Sequence, residues 1–262
     1  MQKRVLTGVI AILIFLPVLF YSNTIIFPIT LAFLAGVAVY EFAKCVGFSG
    51  KVLYVEFPVI LIAAALPIFA RYKPEWLGIA GLLVFIYLLF LMVLGFGKID
   101  IPAATTMLFG FIYTSVALAL LVLVRDMAPA RYALIFIAAW STDTFAYFGG
   151  FLLGKRKLCP RLSPKKTIAG AISGIIGAVF CFTVFGLVIV SAGGSFPFLK
   201  YCLIAIPASI ASQLGDLSAS AIKRHYGIKD YGNIFPGHGG VLDRFDSILP
   251  LSIGAYIILS II

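Results

Sequence analysis

Residues 76 to 96 read WLGIAGLLVFIYLLFLMVLGF, a run of twenty-one positions without a charged side chain. A hydrocarbon layer ~30 Å thick is crossed by about 20 helical residues, so this run is long enough to span one unaided. Comparable runs lie on both sides of it. Breaks at charged, proline or glycine clusters place spans near 5–21, 25–43, 53–70, 76–96, 104–124, 131–149, 167–191, 199–222 and 247–262. The expected fold is therefore all-α, a polytopic membrane helical bundle of about nine transmembrane helices. The short last run and the interruptions at Pro28, Pro67 and Pro207 keep eight spans as the rival count. The first run lacks a small-residue cleavage site and reads as a retained span.

Composition agrees: 62% of residues are hydrophobic and 11% are charged. Lys and Arg accumulate on cytoplasmic loops, and a nine-span reading puts fifteen of the twenty on the N-terminal side. The N-terminus is thus expected in the cytoplasm, together with two charged loops at 150–166 and 223–246. The net charge of +10 suits a membrane protein beside anionic lipid. Nucleic acid is excluded as a partner, because the aromatic residues lie within apolar runs rather than among the basic ones. Cys45, Cys159, Cys181 and Cys202 form no metal-ligand spacing and are assigned no chemistry. Residues 1–130 read as scaffold helices and 131–262 as the region that carries polar motifs.

The densest of those motifs is SAIKRHYGIKDYGNIFPGHGGVLDRFD, Ser220 to Asp246. Asp243 and Asp246 are three apart, so one helical turn would present both carboxylates on one face. Upstream, Asp143 and Asp216 sit in or beside apolar runs, where a carboxylate is costly without a partner, a wet cavity or a metal. An interhelical hydrogen bond or an ion pair with a lysine is the plain alternative. An all-oxygen donor set points to a hard cation such as Mg²⁺ rather than zinc. Arg244 offers either a counter-charge to its neighbours or a planar fork for phosphate. Gly239 and Gly240 beside His238 would let backbone N–H groups converge on an anion, although a hairpin turn explains the same glycines. The other loop carries Lys155, Arg156, Lys157, Arg161, Ser163, Lys165 and Lys166 near glycines and a helix start, a setting that welcomes phosphate.

Together these residues resemble the signature of the integral-membrane phosphatidate cytidylyltransferases, the CDP-diacylglycerol synthases. The pieces occur in order as Ser220, Lys223-Arg224, Lys229-Asp230, Pro236, His238-Gly239-Gly240, Asp243-Arg244 and Asp246. Asp143, Ala146-Tyr147, Gly154-Lys155 and Ser163-Pro164-Lys165-Lys166-Thr167 match the family's second motif. The resemblance covers about residues 140 to 246. One departure is Ala169, where the family often has an acidic or amide side chain.

The resemblance implies a Mg²⁺-dependent reaction of CTP with phosphatidic acid that yields CDP-diacylglycerol and pyrophosphate. Asp216, Asp243 and Asp246, with Asp143, would hold the cation and a second one if present. Lys223, Arg224, Lys229, His238 and Arg244 would bind phosphate, aided by Ser163, Lys165 and Lys166. The expected location is a bacterial-type inner membrane, with the active site facing the cytoplasm and lipid entering sideways. A homodimer is an open partner, without a GxxxG stripe to argue for it. Rival readings are a CTP-dependent polyprenol kinase, an archaeol-type cytidylyltransferase and a transporter of phosphorylated metabolites or ions. No internal repeat supports the last.

Overall fold

The computed structural model describes residues 13–47, 53–94, 99–195, 197–235, 237 and 239–261, with side chains from residue 56 in the second of these segments. Residues 5–12 of the first expected span lie outside the described residues, as do Pro236 and His238. The chain divides into two compact units, one of residues 1–129 and 226–245, the other of 130–225 and 246–262.

The first unit is built from helices α1 (Ile26–Cys45), α2 (Leu53–Tyr72), α3 (Trp76–Leu94), α4 (Ile101–Phe111) and α5 (Ala117–Met127). A π-helical turn, Ile112–Val116, joins the last two into one rod of 27 residues. Asp100 starts that rod by accepting a hydrogen bond from the Ala103 N–H at 2.9 Å. Its core is apolar and close-packed: Phe27, Leu31, Phe42, Leu66, Met107, Phe111 and Leu121 are all fully buried. Arg71 ties one end together. Its Nε and Nη2 grip the Asp126 carboxylate at 3.0 and 2.9 Å, while the guanidinium also donates to the carbonyls of Ser22 and Thr24. The same unit contains the segment 226–245, with a single helical turn, α9 (Leu242–Phe245), near its end.

The second unit holds α6 (Ala133–Leu153), α7 (Ile168–Ser191), α8 (Phe198–His225) and α10 (Ile248–Ile261). α6 and α7 approach so closely that a Cβ on Gly174 would lie 3.0 Å from the Thr142 carbonyl oxygen. Polar side chains cross this packing: Thr142 donates to Ser209 at 2.9 Å, and Gln213 donates to the Ala171 carbonyl at 3.1 Å. Between α6 and α7 the chain forms a two-stranded antiparallel hairpin, β1 (Lys157–Cys159) and β2 (Ser163–Thr167). The sequence had suggested only a basic loop there. Adjacent strand segments satisfy each other's backbone groups, a pairing that composition alone does not announce.

Among the described residues, five helical segments are long and apolar enough to cross a membrane: Ile26–Cys45, Trp76–Leu94, Ile101–Met127, Ile168–Ser191 and Phe198–His225. Leu53–Tyr72 and Ala133–Leu153 add helices of 20 and 21 residues. Pro28, Pro67 and Pro207 do not break the chain; each lies inside a continuous helix. Proline is tolerated in such apolar helices because neighbouring groups and local adjustments satisfy the carbonyl it frees.

Candidate functional site

Asp246 is the centre of the polar chemistry in the second unit. α9 ends at Phe245, and Asp246 lies in the turn before α10. Gly215 on α8 is what admits this turn. A Cβ at that position would overlap the Asp246 carbonyl oxygen and come within 2.7 Å of Pro250. The Asp246 side chain is enclosed, at 9% exposure, and its Oδ1 accepts from the Ser247 N–H at 2.8 Å. Burial, followed by the negative charge of Asp216, lifts its carboxyl from the ordinary 3.8 to about 7. Asp143 pushes in the same direction, while Lys223 and the Ser247 N–H oppose the shift.

Asp216 lies one turn along α8 from Ser220, whose hydroxyl donates to Oδ1 at 3.4 Å. Its Oδ2 pairs with the Lys166 ammonium at 2.6 Å. This is the lysine partner that a carboxylate in an apolar run requires, and it comes from the hairpin. Lys165 beside it is exposed, and Ser163 is half-buried at the start of β2. Thr167 ends the hairpin and caps α7, accepting from the Gly170 N–H at 3.1 Å. Lys223 and Arg224 occupy the last turn of α8, where cations suit the negative end of the helix dipole.

In the first unit, the Phe235 N–H bonds to the Gly239 carbonyl at 2.9 Å, an isolated antiparallel bridge. Gly237 and Gly239 have φ of +80° and +85°, which glycine adopts without strain. The sequence reading expected N–H groups here to converge on an anion. They do converge, but on carboxylates of the chain itself. Oδ2 of Asp243, a residue only 7% exposed, accepts from the Tyr231 and Gly240 N–H groups at 2.7 and 2.9 Å. The two oxygens of Glu41, on α1, accept from the Val241 and Leu242 N–H groups at 3.0 and 2.9 Å. Glu41 is the residue that sequence reasoning passed over. Its signal was present, as a lone acid in the apolar run 25–43. Lys229 and Arg244 are exposed in the same segment.

Asp246 feels the negative charge of Asp216 and Asp143, with burial the larger cause of its raised pKa, and carboxylate oxygens are the donor type that suits a hard divalent cation. Among the described residues, no three His, Cys, Asp or Glu side chains stand close enough to hold a metal ion as they are arranged.

The sequence profile described as "Cytidylyltransferase family" matches residues 2–262. The chain is similar to a phosphatidate cytidylyltransferase of Bacillus subtilis (strain 168), with 36% identity over 257 residues that cover 95% of this chain and 94% of that protein. A protein of the same name from Staphylococcus epidermidis is 34% identical over 261 residues, covering 96% and 97% of the two chains. One from Staphylococcus aureus (strain COL) is 32% identical over 262 residues, with the same coverage.

Proposed function

Because this chain belongs to the cytidylyltransferase family, we propose that it makes CDP-diacylglycerol and pyrophosphate from CTP and phosphatidic acid in a bacterial-type inner membrane, with its active site facing the cytoplasm. The single observation that carries the reading is Asp246, a buried carboxyl held near Asp216 and Asp143 within the stretch that matches the family signature.

The nucleophile is a phosphate monoester with a charge of roughly −1.5 to −2 near neutral pH, so it needs no general base. The obstacle is repulsion between two polyanions, and the residues answer it with fixed charge. Lys223, Arg224, Lys229 and Arg244 of the signature, with Lys165 and Lys166 of the hairpin, supply donors to the phosphates of CTP and lipid. His238 and the Gly239-Gly240 turn are further contacts that the motif suggests.

Mg²⁺, held by Asp216 and Asp246 with Asp143 in support, would neutralise charge that develops on the phosphate oxygens. Asp243, whose Oδ2 accepts from two loop amides, is a further ligand that the motif suggests. A lipid phosphate oxygen attacks the α-phosphorus of CTP; the bond to the bridging oxygen breaks, and its electron pair leaves with pyrophosphate. No covalent enzyme intermediate is needed. The sequence supports nine spans with a cytoplasmic N-terminus, which puts both basic loops on the side from which CTP arrives.

The test is purified protein in detergent with CTP, Mg²⁺ and phosphatidic acid. Pyrophosphate release that depends on the lipid, with CDP-diacylglycerol as the product, is expected. CDP release with a polyprenol acceptor instead, or no pyrophosphate release with any lipid, would refute the proposal.

A further inference from the structure

Glu41 stands out among the buried groups to which the proposed reaction gives no task. It is 2% exposed and sits within the mostly apolar α1, three residues before Lys44 in the last turn, a costly place for a carboxylate. What surrounds it is backbone from the opposite end of the chain. Oε1 receives the Val241 N–H and Oε2 receives the Leu242 N–H, two successive amides that begin the α9 turn. Gly232 and Gly240 also press against it; a Cβ on either would overlap Oε1. A Cβ at either position would therefore force the Glu41 carboxylate to shift. Asp243 fixes the same stretch from the other side, through the Tyr231 and Gly240 amides.

We infer that Glu41 is a positioning residue for the loop that carries Lys229, Asp243 and Arg244, holding the backbone at residues 240–242 so that α9 starts in one place. The inference rests on the proposed reading of that loop as phosphate-handling. A carboxylate is required by the partners, because both are donors. Glutamine would keep one acceptor and turn its NH₂ against the other N–H, and alanine would leave two buried amides without a partner. Aspartate keeps both acceptors on a shorter arm. The expected order of function is therefore Glu, then Asp, then Gln, then Ala. Arg244 and Asp243 follow Leu242 directly, so a loosened amide pair moves both. A displacement near 1 Å of such groups costs on the order of 100-fold in rate.

The experiment compares the full-length wild type with Glu41→Asp, Glu41→Gln and Glu41→Ala in detergent. Amide exchange across 239–245 and in the distant helix Ile168–Ser191 is measured alongside kcat and KM for CTP and phosphatidic acid. Expected are faster exchange at 239–245, unchanged exchange in Ile168–Ser191, a kcat lower by roughly 10- to 100-fold in Gln, and partial recovery in Asp. Gly232→Ala perturbs the contact from the loop side and should reproduce the exchange change. It should add little to Glu41→Ala, since both remove one interaction. Wild-type exchange and kinetics in Glu41→Gln, or in Gly232→Ala should the Gln variant not fold, overturn the inference. Equal loss of protection in 239–245 and Ile168–Ser191 also overturns it, as that marks a general stability role. If the wild type lacks lipid-dependent pyrophosphate release while the local exchange contrast persists, Glu41 still holds the loop, and the proposed reaction is what fails.

Discussion

Gly215→Ala tests the site without altering any charged group. The added methyl would overlap the Asp246 carbonyl oxygen and lie 2.7 and 3.1 Å from two Pro250 ring carbons. Neither neighbour is the free end of a flexible side chain; one is backbone and the other a ring fused to it. Relief therefore requires α8 and the 246–250 segment to separate by roughly 1 Å, a misplacement worth on the order of 100-fold in rate at a positioned group. Overpacking of this kind costs about 1–3 kcal/mol. At 2–4 °C per kcal/mol for a chain of this size class, the thermal midpoint should fall by several degrees, and the protein should remain folded at 25 °C. The assay is pyrophosphate release at saturating CTP and phosphatidic acid, titrated with Mg²⁺. Expected are a kcat lower by about 100-fold and a higher Mg²⁺ half-saturation. Gly254→Ala on α10 is the control, because a Cβ there meets nothing within 4 Å. Wild-type kcat and Mg²⁺ response in Gly215→Ala would refute the claim that the approach of α8 to the Asp246 turn matters to the chemistry.

Asp246→Asn should abolish lipid-dependent turnover, and it should also change the pH dependence of metal-free stability. With its folded pKa raised to about 7, the wild-type carboxyl contributes stability that is complete below pH 3.8 and lost as pH rises through 7. The variant should lack that decline when midpoints are scanned in chelator. For the same reason the Mg²⁺ requirement of the wild type should ease between pH 6 and pH 8, and a flat response would count against Asp246 as a ligand. Lys166→Met removes the 2.6 Å partner of Asp216. The pair is about a third exposed, so stability should drop by less than about 1 kcal/mol, while steady-state kinetics should show a large rise in KM for CTP or a fall in kcat. Arg71→Lys loses the two-pronged grip on Asp126. A midpoint lower by several degrees with unchanged kcat is expected, and altered kcat would mean this clamp reaches the site.

The division between what the sequence revealed and what it hid follows the range of each interaction. Apolar runs declare their helices because burial is a local sum over neighbouring residues, and α3 is legible from its twenty-odd uncharged positions alone. Pro67 and Pro207, which kept an eight-span count open, lie inside the helices Leu53–Tyr72 and Phe198–His225. A helix breaker is judged on one missing N–H, whereas the surrounding helices decide whether the freed carbonyl is satisfied. The SPKKT segment was legible as basic, but its strand character needs Lys157–Cys159 across the turn.

The acids are the instructive case. A carboxylate in an apolar helix states a need without naming what meets it. For Asp216 the answer is a side-chain cation, Lys166, at 2.6 Å. For Glu41 the answer is two backbone amides 200 and 201 residues away, which cannot be exchanged without moving the loop. The kind of partner thus differs between the two: a side chain meets one carboxylate and backbone amides meet the other. The glycines around residue 240 sit where four amides gather on carboxylates, the Tyr231 and Gly240 N–H groups on Asp243 and the Val241 and Leu242 N–H groups on Glu41.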